Sequence, residues 1–287
     1  EWMEIWTELA QNVTKIDGYN EMTGRKKRNT FRFDTYSSNF ELFIPMNFWF
    51  CKNYGLALPL VALKFQNVFF HVKFRQFDDC WISKKHNLKP FNQMRLFVDI
   101  YIDYIFLDEA ERQKFINNDQ TYLIEQIQSL GDKYYETGTP MLNMHLNLYH
   151  PCKELIWVIQ RADVYNRSKD NDTDFTYGND WFNYSTVKTN FTANYKDTFA
   201  SAKLQLDGKD RTSFINASVL RVLNNYYHHT RVPNNYIYTL PFALRPEEHQ
   251  PTGTLNFSVI DKKILQLKMN EGIDYDLTYY GLNFFEV

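Results

Sequence analysis

Cysteine, glycine and net charge are all in short supply in this 287-residue chain, and each shortage excludes something. The 3 cysteines, Cys51, Cys80 and Cys152, are odd in number and lack metal-ligand spacing. That argues against a disulfide framework or a zinc ribbon and fits a reducing compartment. The 10 glycines are spread too thinly to hide a phosphate-cradling loop of the Walker or dinucleotide type. Lys+Arg 32 against Asp+Glu 34 leaves a net charge of -2, which speaks against broad binding to nucleic acid or to an acidic membrane. No apolar run approaches the roughly 18 residues of a membrane-spanning helix; Leu56 to Leu63 ends at Lys64. The opening Glu1-Trp2-Met3-Glu4-Ile5-Trp6 has neither an initiator Met nor the basic-then-apolar layout of a signal peptide, so the sequence reads as a piece of a longer protein.

What the chain has in quantity is aromatic surface. Aromatics make up 17%, with 24 Phe and 20 Tyr, and Asn is abundant. Aromatic rings suit half-buried pleated sheets, and Asn suits turns because its short amide tolerates left-handed backbone. At roughly 150 residues per domain the length predicts two domains. A chain of this size buries enough surface to fold without metal or disulfide staples.

Apolar residues recur mainly with period two. Leu96, Val98, Ile100, Ile102, Tyr104 and Phe106 alternate with Arg95, Asp99 and Asp103; Leu142, Met144, Leu146 and Leu148 alternate with Asn143, His145 and Asn147; Leu255, Phe257 and Val259 alternate with Asn256 and Ser258. Each reads as a half-buried antiparallel strand. Between Val61 and Phe74 the apolar phase switches from odd to even positions, which predicts a bulge or corner at Gln66-Asn67. Asp207-Gly208 after Leu204-Gln205-Leu206 predicts a tight hairpin, and a second hairpin is expected at Asp261-Lys262. Two helices are expected as connectors: Asp108 to Asn118, with Asp108 and Glu111 at capping-box spacing, and a stretch through Ile215, Val219, Val222, Leu223 and Tyr226 after Ser213. The polar stretch from Asn166 to Asn194 lacks periodicity and reads as a long exposed excursion. Two strand-rich segments joined by a short helix imply two sandwiches.

Residues that might do chemistry are few. His228, His229 and His249 with Glu247 and Glu248 carry donors suited to zinc or iron, but adjacent histidines point apart and no His-Glu-x-x-His pattern occurs. Asp99 and Asp103 share a strand face, yet four residues set their backbones about 13 Å apart, beyond the roughly 5 to 9.5 Å of glycosidase carboxyl pairs. No nucleophile elbow or catalytic cysteine context is present, so no catalytic residue, metal site or cofactor is assigned. Arg25-Lys26-Lys27-Arg28 reads as a solvated loop. Asn-x-Ser/Thr sequons fall at Asn12, Asn166, Asn171, Asn183, Asn190, Asn216 and Asn256, of which Asn166, Asn171, Asn183, Asn190 and Asn256 are the glycosylation candidates.

Several segments together carry a resemblance. They begin with Phe43-Ile44-Pro45-Met46-Asn47-Phe48-Trp49-Phe50-Cys51, then Gly55 to Leu63, then Asp103-Tyr104-Ile105-Phe106-Leu107-Asp108 with Glu111-Arg112, and Tyr122-Leu123-Ile124-Glu125-Gln126. Leu204 to Arg211, Tyr226-Tyr227-His228-His229-Thr230 and Phe242 to Ser258 follow in the same order. Together they resemble the major capsid proteins of nucleocytoplasmic large DNA viruses.

The resemblance implies an all-β double jelly roll, two antiparallel β-sandwiches with the first incomplete at its N-terminal side. Residues 1–117 would be the C-terminal part of the first sandwich with its connector helix, and 118–287 the second, lacking its extreme C-terminus. It further implies a non-enzymatic homotrimer with a pseudo-hexagonal outline, tiling an icosahedral virion shell assembled in the host cytoplasm. Its partners would be neighbouring capsomers and minor capsid proteins near an inner membrane, with no direct nucleic-acid contact. An incomplete first sandwich is expected to expose a core face and unpaired sheet edges. The competing reading is a carbohydrate-binding β-sandwich, or a minor capsid or spike component, with Tyr177, Trp181, Phe182 and Tyr184 stacking on sugar rings.

Overall fold

The computed structural model describes residues 1–24, 41–76, 82–83, 96–131, 133–136, 139–161, 177–178, 181–185, 197–270 and 279–286. The chain forms two compact units: Glu1–Met46 with Glu125–Tyr165 and Asp180–Val287, and Asn47–Ile124 with Asn166–Asn179. Residues 1–46 thus group with the C-terminal segments rather than with the residues that follow them.

The first unit holds two five-stranded antiparallel sheets, its strands numbered here in chain order. One sheet runs β10 (Ile215–Asn216), β8 (Phe199–Leu206), β13 (Lys263–Met269), β4 (Met141–His145), with β9 (Lys209–Asp210) also on β8. The other runs β11 (Ile237–Pro241), β6 (Glu154–Arg161), β14 (Tyr279–Glu286), β2 (Gln128–Ser129), with β3 (Lys133–Glu136) also on β14. A small ribbon pairs β12 (Leu255–Asn256) with β5 (Pro151–Cys152). In the second unit β1 (Ile82–Ser83) pairs with β7 (Tyr177–Gly178).

Strand pattern dictates the layers. In β4 and its continuation Leu142, Met144, Leu146 and Leu148 are buried, while Met141, Asn143 and His145 face solvent. Period two therefore leaves the β4 sheet one wet face. In β6, by contrast, Leu155-Ile156-Trp157-Val158-Ile159 is buried at every position, as a strand covered on both faces must be. Phe199, Trp157 and Tyr238 meet in the interior, with the Phe199 and Tyr238 ring centroids 4.5 Å apart.

Helices also contribute to this core. Ile5 and Leu9 of α1 (Trp2–Ala10) belong to the same buried cluster as β6. A π-helical turn (Val219–Leu223) leads into α4 (Asn224–His228), and Asn224 and Asn225 donate to the Thr239 and Ile237 carbonyls of β11. α1 and α2 (Val13–Met22) are absent from a strand-dominated reading of the sequence, although Ile5 and Leu9 stand at i,i+4 spacing and Asn12 caps α2 through Thr14 N.

The expected helix after Asp108 is present: α3 spans Glu109–Asn117, and Asp108 Oδ1 accepts from Glu111 N at 2.7 Å. The Asp207-Gly208 hairpin is also present, with φ of 48° and 79°. Asp207 Oδ1 additionally accepts from Asp261 N and Lys262 N, tying this turn to the start of β13.

Five expectations are corrected. The helix expected from Ser213 begins only at Ala217, because Ile215–Asn216 pairs with β8 as a strand. Phe257–Val259 is a 3-10 turn rather than a strand: Asn256 Oδ1 captures Ser258 N, and Phe257 points into the core. Its neighbours β12 and β13 lie in different sheets, so Asp261-Lys262 closes no hairpin. Residues 96–106 and 66–74 form no strand. They have no ladder partner among the described residues, and apolar side chains of both parities are exposed, Leu96 at 68% and Phe97 at 85%. The fifth correction concerns Asn166 to Asn194, most of which lies outside the described residues. Within it Asn183, Tyr184 and Ser185 are buried, Tyr184 in the main core, so the stretch is not exposed throughout.

Candidate functional site

The histidines and carboxylates singled out for metal binding do converge in part, but as an ion network. His229, at the end of α4, has a fully buried side chain. Its Nε2 lies 3.0 Å from Glu154 Oε2 on β6, and its Nδ1 lies 3.0 Å from Glu247 Oε1. Thr230 N donates to the same Glu247 oxygen at 2.9 Å, and the Thr230 hydroxyl donates to the other. Two carboxylate acceptors on one ring require both nitrogens to carry protons, leaving no lone pair for a metal. Burial alone would lower the His229 pKa, but the charges and hydrogen bonds of Glu154 and Glu247 outweigh it and hold it at about 9. Burial would raise Glu247, and the bonds from His229 and Thr230 reverse this, lowering its pKa.

The other candidates sit apart from this network or at its edge. His228 Nδ1 engages the Leu244 carbonyl at 2.9 Å. His249 Nδ1 is 3.5 Å from Glu125 Oε2, while Glu125 pairs with the buried Lys153. Glu248 pairs with Arg245 at 2.9 Å. No group of three or more His, Cys, Asp or Glu side chains placed to hold a metal ion is present among the described residues. The members that sequence reasoning misses are Glu154, Thr230 and Arg231. Arg231 Nε donates to Glu8 O at 2.8 Å, its guanidinium pairs with the Glu8 carboxylate, and Arg231 N donates to Leu9 O at 3.0 Å. Glu154 lies 75 residues from His229 and Glu8 lies 223 from Arg231 in sequence, so no spacing could announce these two pairings.

Asp99 and Asp103 are both exposed in a stretch with no strand pairing among the described residues. Cys51 is exposed and Cys152 is buried. Arg25-Lys26-Lys27-Arg28, Asn166, Asn171 and Asn190 lie outside the described residues. The sugar-stacking platform is not assembled as expected: the Tyr184 ring is spent on the core, leaving Phe182 exposed.

Among the glycosylation candidates Asn183 is corrected, because it is fully buried and its Oδ1 accepts from Ser185 N and Oγ. Asn256 is exposed. Asn12, Asn183, Asn216 and Asn256 all accept through Oδ1 from the backbone N–H two residues on. The sequon pattern at these four positions therefore has a local folding role as an Asx turn.

Exposed apolar surface is concentrated in the second unit, where Phe65, Phe97, Tyr101 and Phe106 are 98%, 85%, 84% and 90% exposed. A smaller exposed group on the first unit includes Tyr226 and Tyr227 of α4, stacked edge to face at 5.3 Å.

Comparison with known proteins follows the whole chain. Residues 1–108 match a family described as the major capsid protein N-terminus, and residues 111–281 match one described as the large eukaryotic DNA virus major capsid protein. The major capsid protein of Pyramimonas orientalis virus is 32% identical over 97% of this chain and 66% of its own length. That of Phaeocystis pouchetii virus is 29% identical over 99% and 72%. Among solved structures, a quasi-atomic model of the PBCV-1 virus capsid gives a TM-score of 0.64 at 23% identity, covering 99% of this chain and 74% of the other. The fold is that of the double jelly-roll capsid proteins.

Proposed function

The chain belongs to the major capsid protein family of large eukaryotic DNA viruses, and from that premise we propose that it is a structural unit of an icosahedral shell, acting as a trimer of pseudo-hexagonal outline. The observation that carries this reading is the family match along both segments in order, 1–108 and 111–281. In this reading residues 1–117 belong to the first jelly roll and its connector, and 118–287 to the second.

Physical form supports the role. Stacked sheets make a stiff wedge whose sides bury apolar surface against neighbours, and two wedges in each of three chains supply six near-equivalent sides. The exposed aromatic surface of the second unit has the character of surface meant to be covered. Its neighbours are other capsomers and minor capsid proteins, at an inner membrane, in a virion built in the host cytoplasm. Of the glycosylation candidates, Asn256 is exposed and open to a glycan, and Asn166, Asn171 and Asn190 remain candidates. The relatives are capsid proteins, and we read this chain as structural rather than enzymatic.

Quantitative mass spectrometry of purified virus particles tests this role. The complete protein should rank among the most abundant virion proteins. A few copies per particle would make it a minor component, and absence from particles would overturn the reading.

A further inference from the structure

Three consecutive residues, His229-Thr230-Arg231, join elements that the sequence keeps far apart. His229 bonds Glu154 at the start of β6 and Glu247 in the loop before β12; Thr230 bonds Glu247 again; Arg231 grips the C-terminal end of α1 through the Glu8 carboxylate and the Glu8 and Leu9 carbonyls. Trp6 of α1 stands edge-on to the His229 ring, centroids 6.5 Å apart.

We propose that the protonated His229 ring is a charge latch that holds α1 and the Glu247 loop onto the sandwich, and that loss of its proton to solvent releases both while the sheets remain intact.

The geometry supplies the argument. A neutral imidazole has one N–H and one lone pair. On deprotonation one carboxylate faces that lone pair, and two carboxylates are left with no cation between them. Glu154 is fully buried and its Oε1 has no hydrogen-bond partner among the described residues, so it has no second donor to fall back on. Glu247 keeps its Thr230 bonds and is part-exposed, so it is the side that moves outward.

Other charges near the latch are already committed. From α1 comes Glu8, paired with Arg231. Lys153, next to Glu154, pairs with Glu125 and donates to the Glu248 carbonyl, and His249 also lies beside Glu125. Arg245 pairs with Glu248. None of these contacts supplies a substitute cation between Glu154 and Glu247. The raised His229 pKa agrees with a latch that is shut at neutral pH and opens in the alkaline range.

Millisecond-pulse hydrogen exchange read by mass spectrometry on the full chain between pH 6 and 10, corrected for intrinsic exchange, tests the latch. Amides of α1 should lose protection about tenfold per pH unit between pH 6.5 and 9 and level off above pH 9, while those of β13 keep theirs. In Glu247→Gln, which removes one of the two charges stabilising the imidazolium, the levelling should come at lower pH. In His229→Gln, α1 should be poorly protected at pH 7 and regain protection on acidification, when a carboxylate takes up the missing proton. Protection of α1 that is flat to pH 10 would overturn the proposal, as would simultaneous loss from α1 and β13. An unshifted levelling point in Glu247→Gln would also overturn it.

Discussion

Phe199 opens β8 and is fully buried. It sits where the β8–β13 register shifts, with its ring 4.5 Å from Tyr238 and 6.4 Å from Trp157. Phe199→Ala removes a whole ring from between β8 of one sheet and β6 and β11 of the other. Neighbours from two hydrogen-bonded ladders cannot close that space, so the cost should be about 3–5 kcal/mol, transfer and cavity together. Set against a total of about 5–15 kcal/mol for a folded domain, this is a large fraction. Urea unfolding followed by tryptophan fluorescence should show the midpoint falling sharply with little change in slope. Phe65→Ala is the control, since that ring is 98% exposed, and it should leave the midpoint where it was. A loss under about 1 kcal/mol for Phe199→Ala would mean that the two sheets do not pack around this ring.

Further outcomes follow from single contacts. Raising the His229 pKa from 6.5 to about 9 contributes roughly 3 kcal/mol that is fully present below pH 6.5 and lost as pH rises through 9, so urea midpoints should fall across that window and a flat profile would contradict the network. Gly208→Ala adds a Cβ that meets nothing within 4 Å, but φ of +79° makes it cost about 1 kcal/mol by strain alone, read as a lower unfolding midpoint. Asp108→Ala deletes the bond to Glu111 N and should destabilise α3 by about 1 kcal/mol, seen as reduced protection of its first-turn amides in hydrogen exchange. In glycopeptide mapping of the native protein Asn183 should be unoccupied, and a glycan there would contradict its burial.

Much of the sandwich was legible because its information is local. The alternation of Leu142, Met144, Leu146 and Leu148, the Asp207-Gly208 turn and the Asp108 cap each depend on residues within a few positions of one another. Where long-range pairing decides, local pattern misleads. Leu96 to Phe106 has an alternating pattern as clear as that of β4, yet it forms no ladder among the described residues, because period two predicts a capacity to pair and cannot supply the partner. Phe257 fits a strand pattern but is taken by the Asn256 turn.

The charge network shows the same division. His229 and Glu247 were visible as chemistry-bearing residues, whereas Glu154 sits before an apolar run and Glu8 lies in an N-terminal helix. Nothing in the sequence says that the four share one interior. The sequons misled in the opposite way. Asn183 looked like a surface acceptor because its neighbours are polar, yet those polar groups bond one another inside the fold.

The mass of the complete protein in solution, measured by light scattering with negative-stain images of the same sample, tests the central claim most directly. The account predicts three copies and a hexagonal outline. A protein that remains monomeric at concentrations where shells form would contradict it.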